Sequence, residues 1–183
     1  MSVEHTRIPG WVEPSATERR RILDATSTVA MVGVSANPSR PSNFVATYLV
    51  SSSARFEVYF VNPAADEILG RPCYASLADL PVVPDLVDVF RRLEDVPAVA
   101  VEAAAVGAKV LWTQFDLWSP EAARVALDAG MEVVMDRCLK VEHARFHGGL
   151  HLAGFDTGVI DARRPGQRGS QTTTGISRSV RSW

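Results

Sequence analysis

A chain of 183 residues, 46% hydrophobic and 22% charged, has the length of one domain with a full core and the composition of an ordinary globular protein. It holds no apolar run near the ~20 residues that cross a bilayer, no signal-peptide core in its opening MSVEHTRIPGW, and only two cysteines, Cys73 and Cys138; the expectation is a cytoplasmic protein without disulfides or membrane contact. The net charge of −2 conceals five arginines against one aspartate in residues 161–183, so residues 1–160 carry fourteen basic and twenty acidic side chains, and a body at −6 argues against a nucleic-acid partner.

Residues 1–14, with two prolines, a glycine and Trp11, read as an N-terminal arm laid on the body. Ser15 and Glu18 have the spacing of a capping box, and Ile22, Leu23 and Ala25 give a first short helix. Val29, Ala30, Met31, Val32 and Val34 then form an apolar run bounded by polar residues, the pattern of a strand buried on both faces of a parallel sheet. Gly33 lies near its carboxyl end, where a missing Cβ lets a ligand approach the backbone. Ser35, Asn37, Ser39, Arg40 and Ser42 follow, and helical periodicity resumes at Phe44, Val45, Tyr48 and Leu49.

Strand, polar loop and helix amino terminus make a ready anion site, because free N–H groups and the helix dipole both favour negative charge. The loop adds hydroxyls, an amide and a guanidinium, and no carboxylate. An ordinary turn-rich βα loop is the plainer account of the same residues.

Phe56–Val61 is a second apolar strand, ended by Asn62-Pro63. Residues 64–85 are turn-rich, with room for a short strand near Pro72–Tyr74 and a helical turn near Leu77–Leu80. Leu86–Phe90 is another strand, followed by Arg91 and Arg92. Asp95 is expected to cap a helix through Val106, with Pro97 tolerated in its first turn. Val110–Trp112 is a strand, Ser119-Pro120-Glu121 opens the next helix, Gly130 ends it, and Met131–Met135 is the last strand.

Five to six apolar strands alternating with helices predict an α/β domain over residues 15–160, a doubly wound parallel sheet in three layers. Ligands of such sheets bind at the carboxyl ends of the strands where strand order reverses. That singles out Gly33–Ser35, Asn62-Pro63, Phe90–Arg92, Trp112–Gln114 and Asp136–Cys138. Residues 161–183, rich in Arg and Ser and nearly free of apolar side chains, read as a flexible tail.

Two features argue against NAD or FAD. The first loop, G-V-S-A-N-P, has one glycine where the dinucleotide fingerprint has three, and the second strand ends in neutral Asn62-Pro63 where an acidic residue would accept from a ribose hydroxyl. A neutral end suits an adenosine whose ribose bears its own phosphate, which a carboxylate would repel. NADP and coenzyme A are both such ligands, and the residues alone leave both open.

The runs VGVSANPSRPS (32–42), VNPAADEILGRPCYASLADLP (61–81), DVFRR (88–92), GAKVLWTQ (107–114) and VVMDRCLKVEH (133–143) resemble the small bacterial CoA-binding protein family. That family shares its fold with the CoA-binding domain of succinyl-CoA synthetase alpha subunits and ADP-forming acyl-CoA synthetases. The resemblance spans roughly residues 17–146. It implies a Rossmann-like domain with coenzyme A as cofactor, the Gly33–Ser42 loop on the phosphates and Asn62-Pro63 near the adenosine. Leu139 stands where the family often has proline, and Asp116 where glycine is frequent.

Chemistry-bearing residues outside this frame have plainer explanations. His143, His147 and His151 recur every four residues, but H-A-R-F-H lacks the glutamate of a zinc-protease helix, and Gly148-Gly149 would break the helix; no metal is expected. Cys138 follows the last strand and reads as a packed thiol, as does Cys73. Trp112, Trp118 and Phe90 fit a core edge or a stacking platform. Arg91 stands out, since an arginine leaving a central strand beside the loop calls for an anion or a carboxylate.

The resulting expectation is a protein that binds CoA or acyl-CoA with Gly33, Val34, Ser35, Asn37, Arg40, Ser42, Asn62, Pro63, Phe90, Arg91 and Gln114, and has no catalytic residues of its own. The alternatives are a small NADP-dependent oxidoreductase and the nucleotide-binding subunit of a multi-chain acyl-CoA synthetase. A partner enzyme or a second copy of the chain is the expected protein partner.

Overall fold

The computed structural model describes residues 8–51 and 55–147. The expected tail from residue 161, His151 and the start of the expected arm lie outside the described residues. In chain order the elements are α1 (Ala16–Ala25), β1 (Thr28–Val32), α2 (Pro41–Ser51), β2 (Glu57–Val61), β3 (Glu67–Ile68), β4 (Arg71–Tyr74), β5 (Leu86–Val89), α3 (Val96–Ala105), β6 (Val110–Thr113), α4 (Pro120–Asp128), β7 (Glu132–Val134) and α5 (Leu139–His147). Short 3-10 turns occupy Leu77–Asp79 and Leu93–Asp95.

The strands form one sheet in the order β3-β4-β2-β1-β5-β6-β7, with β3 antiparallel to β4 and every other pair parallel. This is the Rossmann-like, doubly wound α/β arrangement, with seven strands among the described residues where the apolar runs predicted five to six. β4 answers to the short strand expected near Pro72–Tyr74, and the added strand is β3, joined to β4 by a hairpin turning at Leu69 and Gly70, both with positive φ (52° and 71°). Two-residue hairpins need that backbone, and a strand of two residues is too short to leave a periodic signal.

The sheet is covered on both faces. Ile22 and Leu23 of α1, Val45, Ala46 and Leu49 of α2, and Leu139 of α5 bury against Val29, Met31, Phe60, Leu86, Trp112 and Val134. On the opposite face Val96, Val99, Ala100 and Ala103 of α3 and Ala122, Ala123 and Ala126 of α4 pack against Ala30, Val32, Val87, Val89, Leu111 and Val133. Small residues on α3 and α4 let these helices lie close to the sheet and to each other. Ile8 and Trp11 extend that second face, and the Trp11 indole donates to the carbonyl of Val133 (3.1 Å), which is on the edge strand β7. Trp11 also meets Trp118 edge to face at 5.3 Å.

Several local signals read as expected. Ser15 and Glu18 form a reciprocal capping box, and the Ser119 hydroxyl accepts from the N–H of Ala122. Asp95 is a correction: its side chain makes no cap hydrogen bond and pairs instead with Arg92, at 3.2 Å, within the 3-10 turn that precedes α3. Helix α5 had no place among the predicted elements. It is anchored by the buried pair Arg19–Glu142 (2.7 Å), which ties it to α1, and Arg145 supports Glu142 at 3.3 Å.

Beside that pair, His143 joins three helices. Its Nδ1 lies 3.0 Å from the Tyr48 hydroxyl of α2, its ring stacks on His147, and His147 reaches Asp24 of α1 at 2.8 Å. Burial, with the neighbouring His147, lowers the His143 pKa to about 4 from an ordinary 6.5. The folded state therefore favours the neutral ring. Stability contributed this way is complete above about pH 6.5 and is lost as pH falls toward 4. A His143→Gln variant should accordingly lose less melting temperature than the parent between pH 7 and pH 5. Parallel losses would show that His143 titrates alike in the folded and unfolded chain.

Candidate functional site

Strand order reverses at β1. The chain leaves β1 through α2 toward β2 on one side, while β5 lies on the other. At this point Gly33 adopts φ +84°, and its N–H donates to the carbonyl of Val61 (2.8 Å). A Cβ there would sit 2.4 Å from the Phe90 carbonyl oxygen and 2.7 Å from Cδ of Arg91. Glycine is needed on both counts, since L-residues strain in left-handed backbone and the space is filled by β5's continuation. The same contact puts the stem of Arg91 across the end of β1.

The loop from Gly33 to α2 is internally braced. Ser42 Oγ accepts from the Ser35 N–H (3.1 Å), Ser35 Oγ from Asn37 N–H (3.1 Å) and Asn37 Oδ1 from Ser39 N–H (2.9 Å). Asn43, buried and unforeseen from sequence, donates its amide to the Ser35 carbonyl (2.9 Å). These are turn-forming side-chain bonds, which explains the density of Ser and Asn. No hydrogen bond among the described residues uses the N–H of Val34 or Ala36. The loop side chains thus act mainly as scaffold, with backbone N–H groups and the α2 dipole left for an anion.

Asn62 is also part of the scaffold. Its amide donates to the Val34 carbonyl (2.7 Å) and its Oδ1 accepts from the Ala64 N–H (3.0 Å), stitching the end of β2 to the loop after β1. The expected neutrality at this strand end is kept, and Pro63 beside it is exposed. Among the described residues neither Arg40 nor Arg91 has a carboxylate partner, and both are exposed. Asp88 and Asp136, two carboxylates at the strand ends that either arginine could have braced, are engaged with Gln114 and with the Asp116 N–H.

Other singled-out residues fall into place around this crevice. Trp112 is fully buried with its indole N–H on the Arg137 carbonyl (2.7 Å), so it is core and offers no stacking face. Trp118 packs against Trp11, while Phe90 is half-buried at the crevice. Cys138 is buried ahead of α5, and burial pushes its thiol pKa up, against the lowering by N–H groups of Val141 and Lys140. Burial likewise raises Cys73, which points at the Asn62 carbonyl (3.6 Å). Both departures from the family pattern are explained: Asp116 has φ +64°, where glycine is easiest and aspartate is tolerated, and Leu139 opens α5, where proline is favoured. Unforeseen was Lys140, whose ammonium lies 3.7 Å above the exposed Phe44 ring and so adds a cation near the start of α2.

A donor-rich loop at the reversal point, free of carboxylates, with Arg40 in it and Arg91 beside it, neither paired with a carboxylate among the described residues, defines a nucleotide-binding module of the doubly wound class. The family model for the CoA binding domain matches residues 27–144, and the chain belongs to that family, whose ligand is coenzyme A. It is 39% identical over 131 residues to the "Uncharacterized protein YneT" of Bacillus subtilis (strain 168), covering 72% of this chain and 96% of that one. It is 33% identical over 89 residues to an ADP-forming acetate–CoA ligase of Archaeoglobus fulgidus, covering 49% of this chain but 13% of the ligase. Among solved structures, a protein from Pyrococcus horikoshii OT3 superposes with a TM-score of 0.69 at 36% identity, over 73% of this chain and 92% of that one.

The residues fit the ligand. Its phosphates need N–H donors and cations, which the loop, Arg40 and Arg91 would supply, and its adenosine phosphate needs a strand end without a carboxylate, such as the one at Asn62. When bound, coenzyme A supplies a thiol that carries acyl groups. Because Gly33 is required by both φ and space, Gly33→Ala should cost on the order of 2 kcal/mol or more in chemical denaturation. An unchanged midpoint would refute the close approach of β1 and β5.

Proposed function

We propose that this chain holds coenzyme A or an acyl-CoA across the carboxyl ends of β1, β2, β5 and β6 and presents the thiol end to a catalytic group on another polypeptide. On this reading it is the CoA-binding subunit of a multi-chain acyl-CoA synthetase. Gly33, Val34, Ser35, Asn37, Arg40 and Ser42, with Arg91 over them, form the diphosphate cradle, Asn62 and Pro63 border the adenosine, and Phe90 and Gln114 border the pantetheine arm. The observation that carries it is Arg91, laid over Gly33 at the strand-order reversal with no carboxylate among the described residues to neutralise it. The match to a 13% section of the ligase supports a module that works beside other domains.

A second reading, a stand-alone carrier of CoA without catalysis of its own, draws support from the match to 96% of the Bacillus protein. Affinity capture of the full chain distinguishes them: a subunit retains a synthetase partner and the pair ligates CoA, whereas a carrier brings down no such activity.

Calorimetric titration should show CoA binding more tightly than NADP, NAD or ATP. Equal or tighter binding of NADP would overturn the proposal and favour a small NADP-dependent oxidoreductase. Arg91→Ala should weaken CoA about 10- to 150-fold, matching about 1.5–3 kcal/mol for charge-assisted bonds to phosphate, and Arg91→Lys should recover part of that. Arg91→Ala should also melt like the parent when empty while gaining less on addition of CoA. A variant destabilised equally with and without CoA would assign Arg91 a structural role.

A further inference from the structure

The cradle leaves one polar pair unused. Asp88 lies one residue before the end of β5, in register with Met31 of β1 and Trp112 of β6, and is fully buried. Its Oδ1 accepts from the Gln114 amide nitrogen at 2.6 Å, while its Oδ2 is buried with no hydrogen-bond partner. A carboxylate buried with a single neutral donor is far from compensated. Yet this side chain sits directly beneath the strand ends proposed to receive a polyanion, and Gln114 emerges from β6 at that crevice.

We infer that Asp88 is a positioning residue of the ligand site, held as a neutral acid that orients the Gln114 amide and keeps negative charge out from beneath the bound polyanion. The inference rests on the proposed CoA site. With Oδ1 occupied by Gln114, the proton resides on Oδ2. The Gln114 amide nitrogen is thereby committed to Asp88, and its carbonyl Oε1 is left to face a ligand donor such as a pantetheine amide N–H.

The surroundings favour the neutral form. Burial raises the Asp88 pKa to about 8, against a lowering by Gln114. The packed strands β1 and β6 bring no titratable side chain. From α2 the one titratable group is Tyr48, engaged by His143. Ahead of α5, the Cys138 thiol couples to Asp88 and is itself held protonated by burial. On α5, Lys140 lies over Phe44, Glu142 is paired with Arg19 and Arg145, His143 faces Tyr48, and His147 faces Asp24. No cation among these groups is paired with Asp88.

Because the folded-state value is raised, the neutral acid persists below about pH 8 and is lost as pH rises through it. A bound polyanion adds repulsion to the ionised form, so CoA affinity should fall with that ionisation.

The test compares the full-length parent, Asp88→Asn and Asp88→Ala by calorimetry with CoA from about pH 7 to about pH 9, alongside a carboxyl-carbon NMR titration of Asp88 in the empty parent. The parent should lose affinity by on the order of tenfold across that range. Asp88→Asn mimics the neutral acid, so it should rescue binding relative to Asp88→Ala and abolish the parent's pH dependence, with thiol ionisation of CoA common to all three. The NMR titration should place the Asp88 midpoint well above the ordinary carboxylate range. Parallel pH profiles for parent and Asp88→Asn, an Asp88→Asn variant as weak as Asp88→Ala, or an Asp88 midpoint near the ordinary value would each overturn the inference. A parent that binds no CoA while Asp88 titrates high would instead strike the proposed site and leave the neutral acid standing.

Discussion

The contact between Gly33 and the carbonyl of Phe90 is the constraint on which the rest depends. β1 and β5 are hydrogen-bonded neighbours up to Val32 and Phe90, and beyond that point β5's continuation occupies the space a side chain on residue 33 would need. Glycine lets the chain turn there in left-handed backbone, so the loop rises over the sheet edge and enters α2 with its donors facing outward. The Arg91 stem crosses the same point. A phosphate-sized anion at the end of β1 would therefore meet backbone N–H groups, a helix amino terminus and a guanidinium at once, without any of them moving far.

Electrostatics at this edge contrast with the rest of the molecule. Residues 1–160 carry a net −6, yet the loop from Gly33 through α2 has no acidic residue and β2 ends in an amide. Two of the carboxylates elsewhere are tied up: Asp85 is lowered to about 2 because hydrogen bonds from Lys109, Ser27 and Thr28 outweigh its burial, and Glu142 is held between two arginines. Leaving cations unpaired at an exposed edge brings little folding stability. It supplies a local positive field on an acidic body, where charge-assisted bonds to phosphate are strong.

Much of this was legible in the sequence because buried parallel strands and Ser/Gly/Pro punctuation leave direct marks. The β1 run, the loop, the Ser15 and Ser119 caps and Gly130 all behave as local chemistry dictates. The misses have physical reasons. β3 hides because its two residues are shorter than any periodicity. α5 hides because its buried face includes Glu142 and His143, polar residues that only long-range partners on α1 and α2 make burial-competent. Asn62 was read through its neutrality, and its bond to the Val34 carbonyl needed the sheet order. Asp88 sits in LVDV as one acidic residue among valines and leucine, and nothing local says that its partner arrives from residue 114.

Where coenzyme A sits on the protein tests the account most directly, and backbone amide NMR during a CoA titration reads it residue by residue. The largest shifts should fall on Gly33–Phe44 and on Phe90 and Arg91, with smaller ones at Asn62 and Gln114. Two open depressions elsewhere offer the contrary outcome, one lined by Glu57, Tyr59, Pro72 and Tyr74 and another by Leu93, Pro97, Trp118 and Pro120. Shifts centred on either depression, with the Gly33 loop unmoved, would contradict a site organised by the close approach of β1 and β5.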